Sequence, residues 1–236
     1  MPYNTIEHRA AKASTRLTLM FDATRNDIFR RESVMSHFPS IDDDAGLAEV
    51  FRRFPRGIDS LLAFHDEVLR MESELTIAQR ELIAAYVSAL NDCGFCFQAH
   101  RVYSALYGID VELFDELVED IDSSGLDEEL KPLFHYVRKL TLSPAKIVSK
   151  DVDRVLAAGI SEEALHDAVL VVGLFNLMNR ILFGHGIDDH RARYEQRLAE
   201  ALASPPEKRR ELNKSDLGST PYREFGQALR RDDDEA

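Results

Sequence analysis

Apolar residues recur at helical spacing through Ile83, Tyr86, Val87 and Leu90. Just before them, Thr76 and Gln79 form a capping box: the threonine caps a helix start and the glutamine reaches back. Asn91-Asp92 interrupts the run and can cap a new helix from about Cys93, which Gly108 would end in the left-handed cap. Asp110 opens another helical stretch (VELFDELVED), stopped by Ser123-Ser124-Gly125. Asp127 opens DEELKPLFHYVRKL, where Pro132 is tolerable near the first turn. Ser143-Pro144 breaks the chain again, Ser149 and Ser161 are further candidate caps, and Gly159 and Gly184–Gly186 mark loops. No strand-like alternation with hairpin turns is present, so the pattern predicts an all-α bundle.

Three regions follow. Residues 1–45 read as a helical N-terminal extension, 46–203 as the core, and 204–236, from about Pro205-Pro206, as a charged tail outside it. A faint repeat at an offset of 85 aligns Thr76 with Ser161, Leu90 with Phe175, Asn91 with Asn176 and His100 with His185, and suggests two related helical halves.

The net charge of −13 disfavours nucleic acid as a general partner, because an acidic protein repels phosphate. No uninterrupted apolar run approaches a membrane span; Ala168–Leu174 is short and broken by Gly173. The start MPYNTIEHRAAK lacks a signal-peptide core. The expectation is a cytoplasmic protein with no membrane partner, in which a cysteine pair serves redox chemistry or a metal.

The chain has two cysteines, Cys93 and Cys96. At about 100° per residue, Cys93, Cys96 and His100 fall within about 60° on one helical face. Both thiols lie in the first turn after the Asn91-Asp92 break, where free backbone N–H groups and the helix dipole stabilise an anion. Such a position, with CxxC spacing, lowers a thiol pKa to roughly 3.5–7.5, so the thiolate is expected near or below neutrality. One thiolate can attack a peroxide and the other resolve the sulfenic acid, while His100 carries the protons. Glu81 shares its helical face with Ala84, Ala85 and Ser88, small residues that let a partner helix approach. Were that partner the helix of Cys93–His100, Glu81 would meet the imidazole in a partly dry pocket and raise its basicity.

The pattern E-x11-C-x2-C-x3-H, in the segment ERELIAAYVSALNDCGFCFQAH but with Gln79 before Arg80-Glu81, resembles the alkylhydroperoxidase-D-like proteins of the carboxymuconolactone decarboxylase superfamily. The run LFNLMNRILFGHGID from Leu174 is similar to the FN-x2-NR stretch of their peroxidase-related branch. The resemblance spans roughly residues 50–190. It implies a homo-oligomer, Cys96 as the peroxidatic thiol, Cys93 as the resolving thiol, and Glu81 with His100 as the proton relay. It implies hydroperoxide as substrate and an external dithiol or thioredoxin-like protein as reductant, with no cofactor and no metal. Some members carry a histidine between the cysteines, where this chain has Gly94-Phe95. The lactone decarboxylases lack the cysteine pair.

Other readings stand beside this one. The cysteines can be small buried hydrophobes. Cys93, Cys96 and His100 can ligate zinc with Glu81 or another histidine as fourth ligand. Glu81 can be a solvated helix residue. A non-catalytic redox sensor or adaptor would need the same reactive thiols. His65, His135, His166 and His190 have no partner at relay spacing and read as structural or surface, and His185 as part of a helix-end loop. Asn176, Asn179 and Arg180 read as residues that cap, pack or pair at an interface.

Overall fold

The Thr76 hydroxyl accepts from the Gln79 amide at 3.2 Å, and Gln79 Oε1 accepts from the Thr76 amide at 2.8 Å. This capping box starts the central helix of the protein. The structure, a computed structural model, describes residues 36–43, 45–187, 191–205, 208 and 218–234, all within a unit that begins at residue 34. Most of the extension expected over residues 1–45 lies outside the described residues, as does His190.

Ten α-helices follow in order: α1 Leu47–Arg53, α2 Ile58–Arg70, α3 Ile77–Leu90, α4 Gly94–Leu106, α5 Glu112–Glu119, α6 Lys131–Leu142, α7 Ser149–Ala157, α8 Glu162–His185, α9 Arg191–Ala203 and α10 Pro221–Asp234. Among the described residues there is no strand, so the fold is all-α.

Every residue of α3 from Arg80 to Ser88 is buried. A helix buried on all sides belongs in the middle of a bundle, and α3 packs on α4, α8, α6, α5 and α2. Its contact with α4 is the most extensive. The chain reverses at Asn91 and Asp92, where Asp92 takes the left-handed φ of +56°. Cys93 itself, not Asn91 or Asp92, stands at the N-cap of α4. Beyond α4, Gly108 adopts the expected left-handed conformation, φ +98°.

Ser161 caps α8, accepting from Ala164 N at 3.0 Å. Ser149 does not cap α7; it is the first helical residue, and Asp151 accepts from the Val148 amide instead, at 2.9 Å. Gly184 lies inside α8, which ends at Gly186, φ +70°. The run from Ala168 thus belongs to a 24-residue helix, long and apolar enough by length and composition to cross a membrane. Here one face of that helix is packed into the bundle, with Val171, Val172, Leu174, Phe175 and Met178 buried. The 85-residue offset aligns two capped helix starts, and Asn91 Nδ2 donates to its counterpart Asn176 at 3.2 Å. Past that point the chain turns back after Asn91, whereas α8 runs on to His185.

The charged C-terminal segment does not stay apart from the bundle. Helix α10 docks on α2 with Gly226 and Leu229 buried. A Cβ at Gly226 would stand 2.7 Å from Leu62 Cδ1, so glycine is what allows this approach.

The threonine and one of the serines give a direct check. Replacing Thr76 by alanine removes a real cap and is expected to lower unfolding free energy by about 1 kcal/mol. Ser149→Ala removes none and is expected to change it by less than about 0.5 kcal/mol. Urea titrations followed by circular dichroism measure both.

Candidate active site

Glu81 sits in the first half of α3 and is fully buried. Its Oε2 accepts from His100 Nδ1 of α4 at 2.5 Å, and its Oε1 accepts from Arg70 Nη1 of α2 at 2.5 Å. One carboxylate therefore holds two helices to a third. Burial alone would push its carboxyl up, but the charges of Arg70 and His100, and a hydrogen bond from each, outweigh it and set it below its ordinary value.

With Nδ1–H fixed on Glu81, His100 keeps Nε2 for proton exchange. The imidazole is buried against Phe175 of α8, ring centroids 4.3 Å apart and nearly perpendicular. Cys96 precedes it by one helical turn. Both cysteines are free thiols and both are buried. They meet each other: the two thiols share a hydrogen bond, and the Asn179 side chain from α8 donates to the Cys96 sulfur.

The environment of Cys96 corrects one expectation. The position near a helix start predicts a thiolate near or below neutrality, but burial pushes the Cys96 thiol well above its ordinary value, and the adjacent Cys93 adds to the rise. The Asn179 hydrogen bond pulls the other way and is outweighed. Desolvation penalises the anion more than the first turn of α4 rewards it.

Arg70 and Asn179 are site residues that the spacing of the motif does not reveal. Arg70 ends α2, outside the E-C-C-H segment. Asn179 belongs to the FN-x2-NR stretch, whose polar groups tie α8 to the α3–α4 turn. Asn179 donates to Ser88 Oγ at 3.1 Å and accepts from Asn91 at 2.9 Å; Arg180 donates to Asn176.

His65 is structural rather than surface: its ring is buried, Nδ1 donates to the Leu61 carbonyl at 2.8 Å, and His100, Glu81 and Arg70 lie within electrostatic reach. His185 matches the structural reading, donating to the Ile181 carbonyl at 2.7 Å and stacking on Phe38. His135 pairs with Asp122 at the surface, remote from the thiols. Among the described residues no group of three or more His, Cys, Asp or Glu side chains is arranged to hold a metal ion. A cavity of about 860 Å³ lies between α6 and α7 and contains none of these site residues.

Two solved structures share this architecture. An uncharacterized peroxidase-related protein from a Silicibacter species superposes with a TM-score of 0.56 at 23% identity, over 61% of this chain and 76% of that one. The alkylhydroperoxidase AhpD core of an uncharacterized peroxidase-related protein from Ralstonia eutropha gives 0.57 at 19%, over 62% and 77%. The fold is that of the alkylhydroperoxidase core. At these identities the likeness is one of fold. No protein-family model and no curated protein matches the chain. Within the alkylhydroperoxidase-type bundle, the site lies where α2, α3, α4 and α8 converge.

The buried His65 makes the stability of the fold depend on pH. Burial lowers the pKa of His65 from 6.5 to about 4. The unfolded chain takes up that proton below about pH 6.5, the folded chain only near pH 4. Stability from this group is therefore full above 6.5 and lost as pH falls toward 4, by about 3 kcal/mol. Denaturant unfolding at pH 7 and 4.5 is expected to show the loss in the parent. In His65→Phe, which keeps the ring packing without titrating, most of it should vanish.

Proposed function

We propose that the protein is a thiol peroxidase of the alkylhydroperoxidase-D-like family. What carries the reading is one juxtaposition: two thiols in hydrogen-bond contact on the helix that also holds a Glu81-paired histidine one turn away. Both fold neighbours are peroxidase-related proteins, which supports the same class.

His100 Nε2 takes the Cys96 proton, and Glu81 stabilises the imidazolium that results. The thiolate attacks one oxygen of the hydroperoxide, the O–O bond breaks, and Cys96 becomes a sulfenic acid. The proton on His100 passes to the departing alkoxide, giving an alcohol. Cys93 then attacks the Cys96 sulfur, and the sulfenic hydroxyl leaves as water, taking the proton that Cys93 gives up. The product is a Cys93–Cys96 disulfide, which an external dithiol reduces in two exchange steps. A raised Cys96 pKa fits this scheme: the resting thiol stays protonated and depends on the base.

Mild peroxide treatment is expected to remove two protons from the protein mass, with the loss abolished in Cys96→Ser. A stoichiometric zinc ion with thiols inert to alkylation would overturn the redox reading. Peroxide consumption stopping after one equivalent, with several dithiol donors present, would favour a sensor over an enzyme.

The relay makes a second, kinetic prediction. Glu81→Gln and His100→Ala should each slow Cys96 oxidation by about 10²–10⁴ at pH 7. Combining them should cost little more than the worse alone, because they act as one unit. The His100→Ala penalty should shrink as pH rises toward the range where the Cys96 thiol ionises unaided. Stopped-flow rates across pH measure all three, and parental rates in both single variants would refute the relay.

A further inference from the structure

Arg70 uses only part of its guanidinium on Glu81. Nη1 donates to Glu81 and to the Leu69 carbonyl, whereas Nε and Nη2 are buried without a hydrogen-bond partner. Three tyrosine rings surround the group. Their centroids lie 5.9, 5.9 and 5.5 Å from the guanidinium carbon, for Tyr103 in α4, Tyr107 just beyond it, and Tyr222 in α10. Aromatic faces here replace the water that a cation otherwise keeps.

Tyr222 comes from far along the chain, outside the segment that resembles any family. It reaches the site because α10 is latched there. The backbone N–H groups of Tyr222 and Arg223 donate to the two oxygens of Asp66, each at 3.0 Å. Asp66 is fully buried on α2, one turn before Arg70, so the same turn of α2 holds α10 and aims Arg70. The Tyr222 ring packs on His65 at 4.8 Å, and its hydroxyl is buried with no partner. Burial pushes that phenol well above its ordinary value, so the ring lies beside Arg70 as a neutral surface.

We propose that Tyr222 is a positioning residue: by closing the aromatic wall around Arg70 it holds the guanidinium on Glu81 and so sets how that carboxylate is shared between Arg70 and His100. The proposal rests on His100 being the base of the site. Glu81 offers one carboxylate to two donors, and the pull of Arg70 on it is strong only while water is excluded. Opening the wall lets water screen that pair, and more of the carboxylate's charge then acts on His100. The histidine holds its proton more tightly and becomes a base only at higher pH. Beside Glu81, His100 has His65 of α2 within electrostatic reach and Tyr103 of its own helix against its ring, with Arg197 of α9 over Tyr103. Helix α8 presents the uncharged Phe175.

The test follows the His100 imidazole by NMR in full-length, reduced, ¹⁵N-histidine-labelled protein as pH is varied. Tyr222→Ala removes the wall. Gly226→Leu wedges α10 away from Leu62 without altering charge, and Tyr222→Phe keeps the ring. The His100 midpoint is expected to rise by about half a unit to one unit in Tyr222→Ala and in Gly226→Leu, and to stay at the parental value in Tyr222→Phe. The pH profile of thiol oxidation by hydrogen peroxide should move with it. An unmoved midpoint in Tyr222→Ala and Gly226→Leu overturns the proposal, and so does a Tyr222→Phe shift as large as that of Tyr222→Ala. Should Tyr222→Ala fail to fold, Gly226→Leu against Tyr222→Phe carries the same comparison. The histidine signal needs no turnover, so failure to reduce peroxide would count against the peroxidase reading alone.

Discussion

A carboxylate with no access to water is costly unless charges and hydrogen bonds meet it from several sides. Glu81 is that group here, and much of the bundle is arranged to meet it. Its two oxygens are assigned separately, one to Arg70 of α2 and one to His100 of α4. This fixes where both helices cross α3. Once His100 is fixed, the helical repeat places Cys96 one turn before it, at the buried start of α4. The positions of the thiols are thus a consequence of where one negative charge is neutralised.

The all-α class was legible in the chain because caps and breaks are local signals. Thr76, Ser161, Gly108 and Gly186 act within a few residues, and each does in the structure what its chemistry predicts. Ser149 misled because Asp151 competes for the same helix start and wins. Glu81, His100 and the cysteines all fall on one hairpin, and the structure brings Glu81 to His100 and Cys93 to Cys96. Their environment was not. Arg70, His65, Asn179 and Tyr222 come from α2, α8 and α10, and no spacing rule links them to the motif. A lone arginine at a helix end or a tyrosine in an acidic tail looks like a surface residue until the packing is known.

Burial accounts for the largest gap between pattern and chemistry. A helix start and a neighbouring thiol imply an acidic cysteine only where water or a cation can share the anion. At Cys96 burial and the neighbouring Cys93 disfavour the anion, and the uncharged Asn179 offsets only part of that. Reactivity there belongs to the assembled relay more than to the cysteine itself. The aromatic enclosure of Arg70 has a similar logic, in that dryness sets the strength of each ion pair around Glu81.

The latch between Asp66 and α10 bears on the order in which the molecule is put together. The bond from His100 to Glu81 spans 19 residues, and that from Arg70 to Glu81 spans 11. Closing such short loops is entropically cheap, and the hairpin can form as soon as α4 has been synthesised. The Asp66–Tyr222 bond spans 156 residues. Its closure costs about 2 kcal/mol more in chain entropy, and it waits for the last helix to be made. A nascent chain can therefore carry Glu81, His100 and both thiols in place while the tyrosine side is still open to water.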